Sequence, residues 1–139
     1  MINSDEIKEI VSYSKALNVL YVEDSKEIRE QTFKMFNNFF HNITLAVDGK
    51  DGLEKFKTNN FDLIFSDLNM PVMNGIDMIK SIRKSDNKVF IIVMSAENEF
   101  GFKDISKKYD IIDYIKKPIA LDKFVKILYK IKDIKTKHD

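Results

Sequence analysis

The stretch FDLIFSDLNMPVMNG, residues 61 to 75, decides the fold. Three consecutive apolar residues, 63 to 65, lead through Ser66 to Asp67, and a Met-Pro pair and Gly75 follow. A short apolar run bounded by turn residues predicts a strand that is buried on both faces, as in a parallel sheet. Asp67 would then lie where the strand leaves the sheet, which is where open α/β sheets bind ligands. Taken alone, an acid at such a position is more often a turn or cap residue.

The composition excludes several classes of protein. The 139 residues include 23 basic and 22 acidic ones, so the net charge of +1 gives no bulk attraction for nucleic acid or an anionic membrane. The absence of Cys excludes disulfides and thiolate sites, and two distant His, at 41 and 138, argue against zinc. No apolar run suits a signal peptide or a membrane span. We therefore expect one cytoplasmic domain that binds neither nucleic acid nor membrane.

Apolar segments alternate with amphipathic ones along the whole chain. Besides the strand in the opening stretch, strands are predicted at 19–22, 43–47, 89–94 and 111–115. Helices are predicted after Asp24, which has capping-box spacing to Glu27, after Asp48-Gly49, from Gly75, over 97–108 and from Leu121. The segment 97–108 is the weakest helix because it contains Gly101. Five strand–helix units predict a three-layer α/β domain with a doubly wound parallel sheet.

The two ends of the chain carry additional helical patterns. Residues 1–17 are predicted to be an N-terminal extension with a short helix, because Asn3 and Glu6 have capping-box spacing. Packing of this helix against the domain is favoured over a dimer contact or a connector. The main domain is predicted at 18–134 and a Lys-rich tail at 135–139. The last helix has a second apolar stripe, which is either a broad core face or a contact surface for a partner. Its residues are Ile127, Ile131 and Ile134.

Acidic residues follow two of the predicted strands. In a five-stranded sheet of order 2-1-3-4-5, strands one and three are neighbours, so Glu23, Asp24 and Asp67 converge. Three close carboxylates repel one another, so either one of them has a raised pKa or a cation shares the site. Oxygen ligands without nearby His or Cys suit Mg²⁺ better than Ca²⁺. The alternative for Glu23 and Asp24 alone is a helix cap with a solvated neighbour.

Two further polar residues follow predicted strands. Ser95 offers a hydroxyl after strand four, and Lys117 brings an ammonium after strand five. Each also has a structural interpretation, as a cap or as a surface Lys before Pro118. A carboxylate beside Mg²⁺ and a Lys can attack a phosphoryl group and hold it as an acyl phosphate. Because that bond is labile, the modification is temporary, as a switch requires.

These residues resemble the receiver domain of two-component response regulators, of the chemotaxis-regulator-like kind. The resemblance covers about residues 18–134 and implies a flavodoxin-like (βα)5 fold. It rests on the acids at 23 and 24, the D-x-x-M-P-x-x-x-G run from Asp67, Ser95, Tyr114 and Lys117-Pro118. It implies that Asp67 accepts a phosphoryl group from a sensor histidine kinase or a phosphotransfer protein. Mg²⁺ would be held by Glu23, Asp24, Asp67 and the backbone carbonyl of Asn69.

The resemblance also implies a switch rather than an enzyme with an external substrate. Ser95 and Lys117 would contact the phosphoryl oxygens, and the Lys117-Pro118 peptide would be cis. Movement of Ser95 and Tyr114 would remodel the face formed by the helix over 97–108, strand five and the last helix. That face would contact an effector, a fused output domain or a second copy. Asn69 and Glu97 would tune dephosphorylation.

Two other functions fit part of the pattern. A Mg²⁺-dependent phosphohydrolase of the haloacid-dehalogenase type needs a second Asp two residues after the nucleophile, where this chain has Asn69. A flavodoxin-like cofactor binder needs a phosphate loop after strand one, where Glu23 and Asp24 would repel a phosphate. The chain departs from the receiver pattern at Asp110, where Gly is usual, but Asp tolerates a left-handed backbone better than most residues.

Overall fold

The predicted alternation of strands and helices is present in the computed structural model, which describes residues 2–68, 70, 72–95 and 102–138. The strands are β1 (Asn18–Val22), β2 (Asn42–Ala46), β3 (Leu63–Asp67), β4 (Phe90–Ser95) and β5 (Asp113–Lys116). The helices are α1 (Ser4–Ser14), α2 (Lys26–Phe36), α3 (Gly49–Thr58), α4 (Gly75–Ser85), α5 (Phe102–Tyr109) and α6 (Leu121–His138). Residues 96–101, on which the prediction of a weak helix depended, lie outside the described residues.

The five strands form one parallel sheet in the order β2-β1-β3-β4-β5, which confirms the predicted topology. β3 lies between β1 and β4, and all five of its residues are buried. In the register of β1 with β3, Val22 pairs with Ser66. The residues that follow this pair, Glu23 and Asp67, therefore leave the sheet side by side.

Both faces of the sheet are covered by apolar clusters. Successive residues of β3 alternate between them, as a strand requires, with Leu63 and Phe65 on one side and Ile64 on the other. The first cluster, under α1, α2 and α6, is rich in aromatic rings, with centroids 4.7 Å apart for Phe36 and Phe65. The second cluster includes the buried apolar side chains of α4, which are Met78, Ile79 and Ile82. The fold is therefore three-layered.

Several element boundaries differ from the predicted ones for local reasons. The prediction that Asp24 caps α2 is wrong, because the Ser25 side chain accepts from the Ile28 N–H. β2 ends at Ala46 because the Val47 N–H donates to Asp51 Oδ2 at 2.9 Å. β5 begins two residues later than predicted because the Ile111 N–H still bonds to the Ser106 carbonyl.

The N-terminal helix packs against the domain. Ile10 of α1 is fully buried in the first cluster, and the Ser14 hydroxyl donates to the Phe39 carbonyl at 2.6 Å. The Tyr129 hydroxyl of α6 donates to the Glu6 carbonyl at 2.8 Å. These contacts agree with the packing of α1 against the domain, which the sequence favoured. The division at residues 17 and 134 stays a prediction.

The second apolar stripe of α6 belongs to the core. Ile127 and Ile131 are buried, and Ile134 is half-buried. The interpretation as a broad core face is therefore favoured over a partner surface at these residues. Across the described ranges, neither α6 nor any other helix has the length and apolar character needed to cross a bilayer.

Candidate functional site

Three carboxylates meet at the carboxyl end of the sheet. Glu23 and Asp24 follow β1, and Asp67 is the last residue of β3. One carboxylate oxygen from each residue lies within 4.8 Å of those from the other two. Glu23 is fully buried and Asp67 is 8% exposed, whereas Asp24 is open to solvent. The strand order thus brings together the acids that the sequence singled out.

Lys117, just beyond β5, joins two of these acids. Its Nζ donates to Oδ2 of Asp67 at 3.0 Å and also to Oε1 of Glu23. The backbone holds the lysine in place, because the Lys117 N–H donates to the Ser95 carbonyl at 2.9 Å. The peptide between Lys117 and Pro118 is cis, as the resemblance implied.

Burial and ion pairing act in opposite directions on these groups. Burial raises the pKa of Glu23, and the hydrogen bond from Lys117 offsets this only in part. Burial also acts to lower the pKa of Lys117, but hydrogen bonds to Glu23 and Asp67 outweigh it and the pKa lies above its ordinary value. The ammonium therefore keeps its charge between the two acids.

Ser95 and Tyr114 lie on neighbouring strands beside the acids. Ser95, the last residue of β4, is buried and lines the same cavity as Asp67 and Lys117. Tyr114 of β5 is buried in the second cluster, which also includes Ile105 and Tyr109 of α5. Asn69 and Glu97, predicted to tune dephosphorylation, lie outside the described residues, and so does the predicted carbonyl ligand of Asn69.

A cavity of about 640 Å³ opens from the acids along α2. This volume lies within the range of small-molecule pockets. One part of the wall is polar and includes the three acids, Ser95 and Lys117. The other part is mostly apolar and includes Ile28, Met35, Pro118 and Ile119. Reactive groups and an apolar contact surface are therefore adjacent.

The loop between β3 and α4 is held closely against the site. The Gly75 N–H donates to the Leu68 carbonyl at 3.0 Å, and a Cβ at Gly75 would lie 2.2 Å from the Asp67 carbonyl oxygen. Val72 is 78% exposed and has a φ of 69°, which is rare for a β-branched residue. Only glycine fits at residue 75, and Val72 is strained without compensating burial.

Sequence reasoning missed Arg29. From the second turn of α2 its Nη1 donates to the Glu23 carbonyl at 2.8 Å and to the Asp24 carbonyl at 3.5 Å. The composition could have drawn attention to Arg29, because only two of the 23 basic residues are arginines. An Arg chosen over Lys often marks a place where two acceptors are bound at once.

The fold and the site agree with a known family. Residues 19–129 match the family model of the response regulator receiver domain. The chain belongs to this family, whose members are signalling proteins of two-component systems and bind Mg²⁺ at an acidic pocket. The Glu23, Asp24 and Asp67 cluster could hold such an ion.

Among sequenced relatives, the transcriptional regulatory protein DltR of Streptococcus agalactiae is 30% identical over 109 residues. The match covers 78% of this chain and 49% of DltR. The chain thus spans about half the length of the curated relatives it matches.

Three solved structures share the fold at similar levels of identity. The chemotaxis response regulator CheY4 of Vibrio cholerae is 28% identical, with a TM-score of 0.72 and coverage of 83% of this chain and 98% of CheY4. TrrA of Thermotoga maritima, solved with Mg²⁺ and BeF, is 27% identical, with a TM-score of 0.71. The match covers 83% of this chain and 98% of TrrA. The third structure is a complex of Ypd1 with the receiver domain of Ssk1 from Saccharomyces cerevisiae. The identity is 27% and the TM-score is 0.70, and the match covers 81% of this chain and 86% of the matched chain.

Proposed function

We propose that this chain is a phosphoryl-accepting switch with Asp67 as the acceptor. A carboxylate oxygen of Asp67 attacks the phosphorus of a phosphohistidine on a sensor kinase or phosphotransfer protein. The new O–P bond makes an acyl phosphate, the P–N bond breaks, and the released imidazole nitrogen takes up a proton from water. The observation that carries the proposal is the position of Asp67, 3.0 Å from the Lys117 ammonium and beside two further acids.

Mg²⁺ fits the donor set of this site. All three side chains offer oxygen, which hard cations prefer. Their spacing of up to 4.8 Å is close to the roughly 4.2 Å between opposite ligands of Mg²⁺, so a small adjustment or a bridging water suffices. Three carboxylates and one ammonium leave a formal charge of minus two, which one divalent ion balances. Glu23, Asp24 and Asp67 would hold the ion with the Asn69 carbonyl, and the ion when bound neutralises charge on the phosphoryl oxygens.

Lys117 and Ser95 have distinct roles in this reaction. The ammonium of Lys117 attracts a phosphoryl oxygen and stabilises the charge that develops during transfer. The Ser95 hydroxyl donates to another phosphoryl oxygen, which requires the side chain to turn toward Asp67. Because Ser95 ends the strand next to Tyr114, that turn changes the packing around the tyrosine.

The signal would leave through the face formed by α5, β5 and α6. Tyr114 belongs to the apolar cluster against which Ile105 and Tyr109 pack, so a rotation of its ring would alter the packing under α5. An effector, a fused output domain or a second copy would bind the altered face. The name of DltR as a transcriptional regulator supports an output in transcription, through a domain outside the matched part.

The surroundings of Asp67 favour a protein as the phosphoryl donor. Within the described ranges, all four exposed large apolar side chains follow the carboxyl ends of strands, at the end of the sheet that carries the acids. They are Ile28, Val47, Val72 and Leu121. An apolar rim suits a docked protein surface better than a small polar ester. The complex of the Ssk1 receiver domain with Ypd1 is a precedent in the same fold.

Acetyl phosphate, a small donor, tests the chemistry without a partner. With Mg²⁺, intact-mass spectrometry should show one added phosphoryl group, which chelation of the metal and the Asp67→Asn substitution should abolish. Asp62→Asn is the matched control, because Asp62 lies before the amino end of β3, and it should label like wild type. The absence of an adduct, or equal labelling of Asp67→Asn, would refute the proposal. Steady hydrolysis of p-nitrophenyl phosphate would instead favour the phosphohydrolase.

A further inference from the structure

The two arginines of the chain both donate to backbone carbonyls, at opposite ends of the sheet. Arg29 donates to the carbonyls of Glu23 and Asp24 at the carboxyl end. Arg83 donates to the carbonyls of Tyr109 and Asp110, at 2.7 and 2.9 Å, in the turn that precedes β5. Each guanidinium therefore links a helix to the backbone of a loop. The loop bound by Arg29 carries two of the three acids.

The backbone around Glu23 is fixed from several sides. Its N–H donates to the Ala46 carbonyl at 3.0 Å, and one carboxylate oxygen accepts from the Ser25 N–H at 3.3 Å. The carbonyls of Glu23 and Asp24, which follow β1, both accept from Arg29. Nη1 of the guanidinium donates to both successive carbonyls, which restricts the orientation of this peptide more than a bond to one carbonyl would.

We infer that Arg29 is a positioning residue for the metal, one that sets the Mg²⁺ affinity by fixing the backbone from which the Glu23 and Asp24 carboxylates project. This inference rests on the proposed function. Arg29 is not a ligand, and its positive charge opposes cation binding. The direction of the effect therefore separates two roles. Loss of the anchor weakens Mg²⁺ binding, whereas loss of a repelling charge would strengthen it.

Two substitutions at Arg29 distinguish these roles. Arg29→Lys keeps the charge but loses the planar guanidinium that reaches the two carbonyls, and Arg29→Met loses both the charge and the donor. If Arg29 positions the carboxylates, both variants need about 10-fold more Mg²⁺ for half-maximal labelling by phosphoramidate, since partners of metal ligands typically contribute 10-fold or more to affinity. The labelling rate at saturating Mg²⁺ should stay within about twofold of wild type, because the groups that act on the phosphoryl are unchanged.

Arg83→Met is the matched control for a purely structural effect. It should lower the melting temperature, as Arg29→Met should, without changing the half-saturating Mg²⁺ concentration. An unchanged Mg²⁺ requirement in Arg29→Lys, or tighter binding in Arg29→Met, would overturn the inference.

Binding of Mn²⁺ to the full chain, measured by electron paramagnetic resonance, tests the inference without phosphorylation. Wild type should bind Mn²⁺ more tightly than Arg29→Lys, and equal affinities would contradict the role given to Arg29. If phosphoramidate fails to label wild type, the proposed function fails, and the Mn²⁺ comparison still decides the role of Arg29.

Discussion

The Nζ atom of Lys117 lies 3.0 Å from Oδ2 of Asp67 and also donates to Glu23, so one ammonium joins residues that leave β1, β3 and β5. All three side chains are largely removed from solvent. Removing one member of a buried ion group leaves uncompensated charge, which is far more destabilising than the loss of an exposed ion pair. The site is therefore also a stability element.

Lys117→Met should lower the free energy of unfolding by about 3 kcal/mol without metal, because Glu23 and Asp67 then repel each other unopposed. Urea denaturation measures this, and Mg²⁺ should restore part of the loss. Lys123→Met is the control, since Lys123 forms an exposed pair with Asp113 at 3.2 Å and its loss should cost less than about 1 kcal/mol. Equal costs would show that the ammonium does not stabilise the acids.

Gly75→Ala should destabilise the domain by about 3 kcal/mol, because the new Cβ would clash with backbone that cannot move freely. The clash is with the Asp67 carbonyl oxygen at 2.2 Å and with the Leu68 Cα at 2.9 Å. Gly52→Ala makes a suitable comparison, since its nearest neighbour is the flexible Met78 Sδ at 2.8 Å and alanine favours the helix. Thermal unfolding that ranks Gly52→Ala as the more damaging change would contradict this account.

Val72→Asn should stabilise the protein by about 1 kcal/mol, since asparagine tolerates a positive φ that strains valine. Little apolar burial is lost, because Val72 is 78% exposed. Val47→Asn serves as the control. Val47 is also exposed, at 47%, but its φ is not positive. Among the described non-glycine residues, only Val72 and Asp110 have a positive φ. A rise in melting temperature for Val72→Asn alone is expected, and a fall in both would contradict strain at residue 72.

Ile10→Ala should lower the free energy of unfolding by about 3 kcal/mol, because a fully buried isoleucine would leave a cavity between α1 and the aromatic cluster. Lys8→Ala, on the exposed side of the same helix, should change it by less than about 0.5 kcal/mol. Chemical denaturation of the two variants compares them directly. If the two variants have the same free energy of unfolding, α1 does not contribute to the core.

The sequence was sufficient for the sheet and for the acids because both follow from one periodic pattern and one topological rule. Buried parallel strands are continuous apolar runs, and the 2-1-3-4-5 order makes Glu23 and Asp67 neighbours once the strands are placed. Asp110, the one departure noted before β5, has a φ of 53°, as its tolerance of the left-handed region allowed.

Contacts without a local pattern could not be predicted. The bond from Tyr129 to Glu6 joins residues 123 positions apart, and nothing in either segment specifies the other. Arg29 resembles any solvent-facing basic residue of a helix until the loop carbonyls it binds are located. The cap of α2 was assigned to Asp24 and not to Ser25, because both residue types cap helices well and spacing alone does not separate them.

The complete burial of β3 has a consequence for how the protein can respond to chemistry at Asp67. A strand with parallel neighbours on both sides and no exposed residue exchanges its amide hydrogens only when the sheet itself opens. Asp67 is thus attached to backbone that should be among the slowest in the domain to exchange with deuterium. A chemical change at the Asp67 carboxylate therefore leaves β3 in place. The conformational change should occur in the surrounding segments, whose amide hydrogens exchange faster.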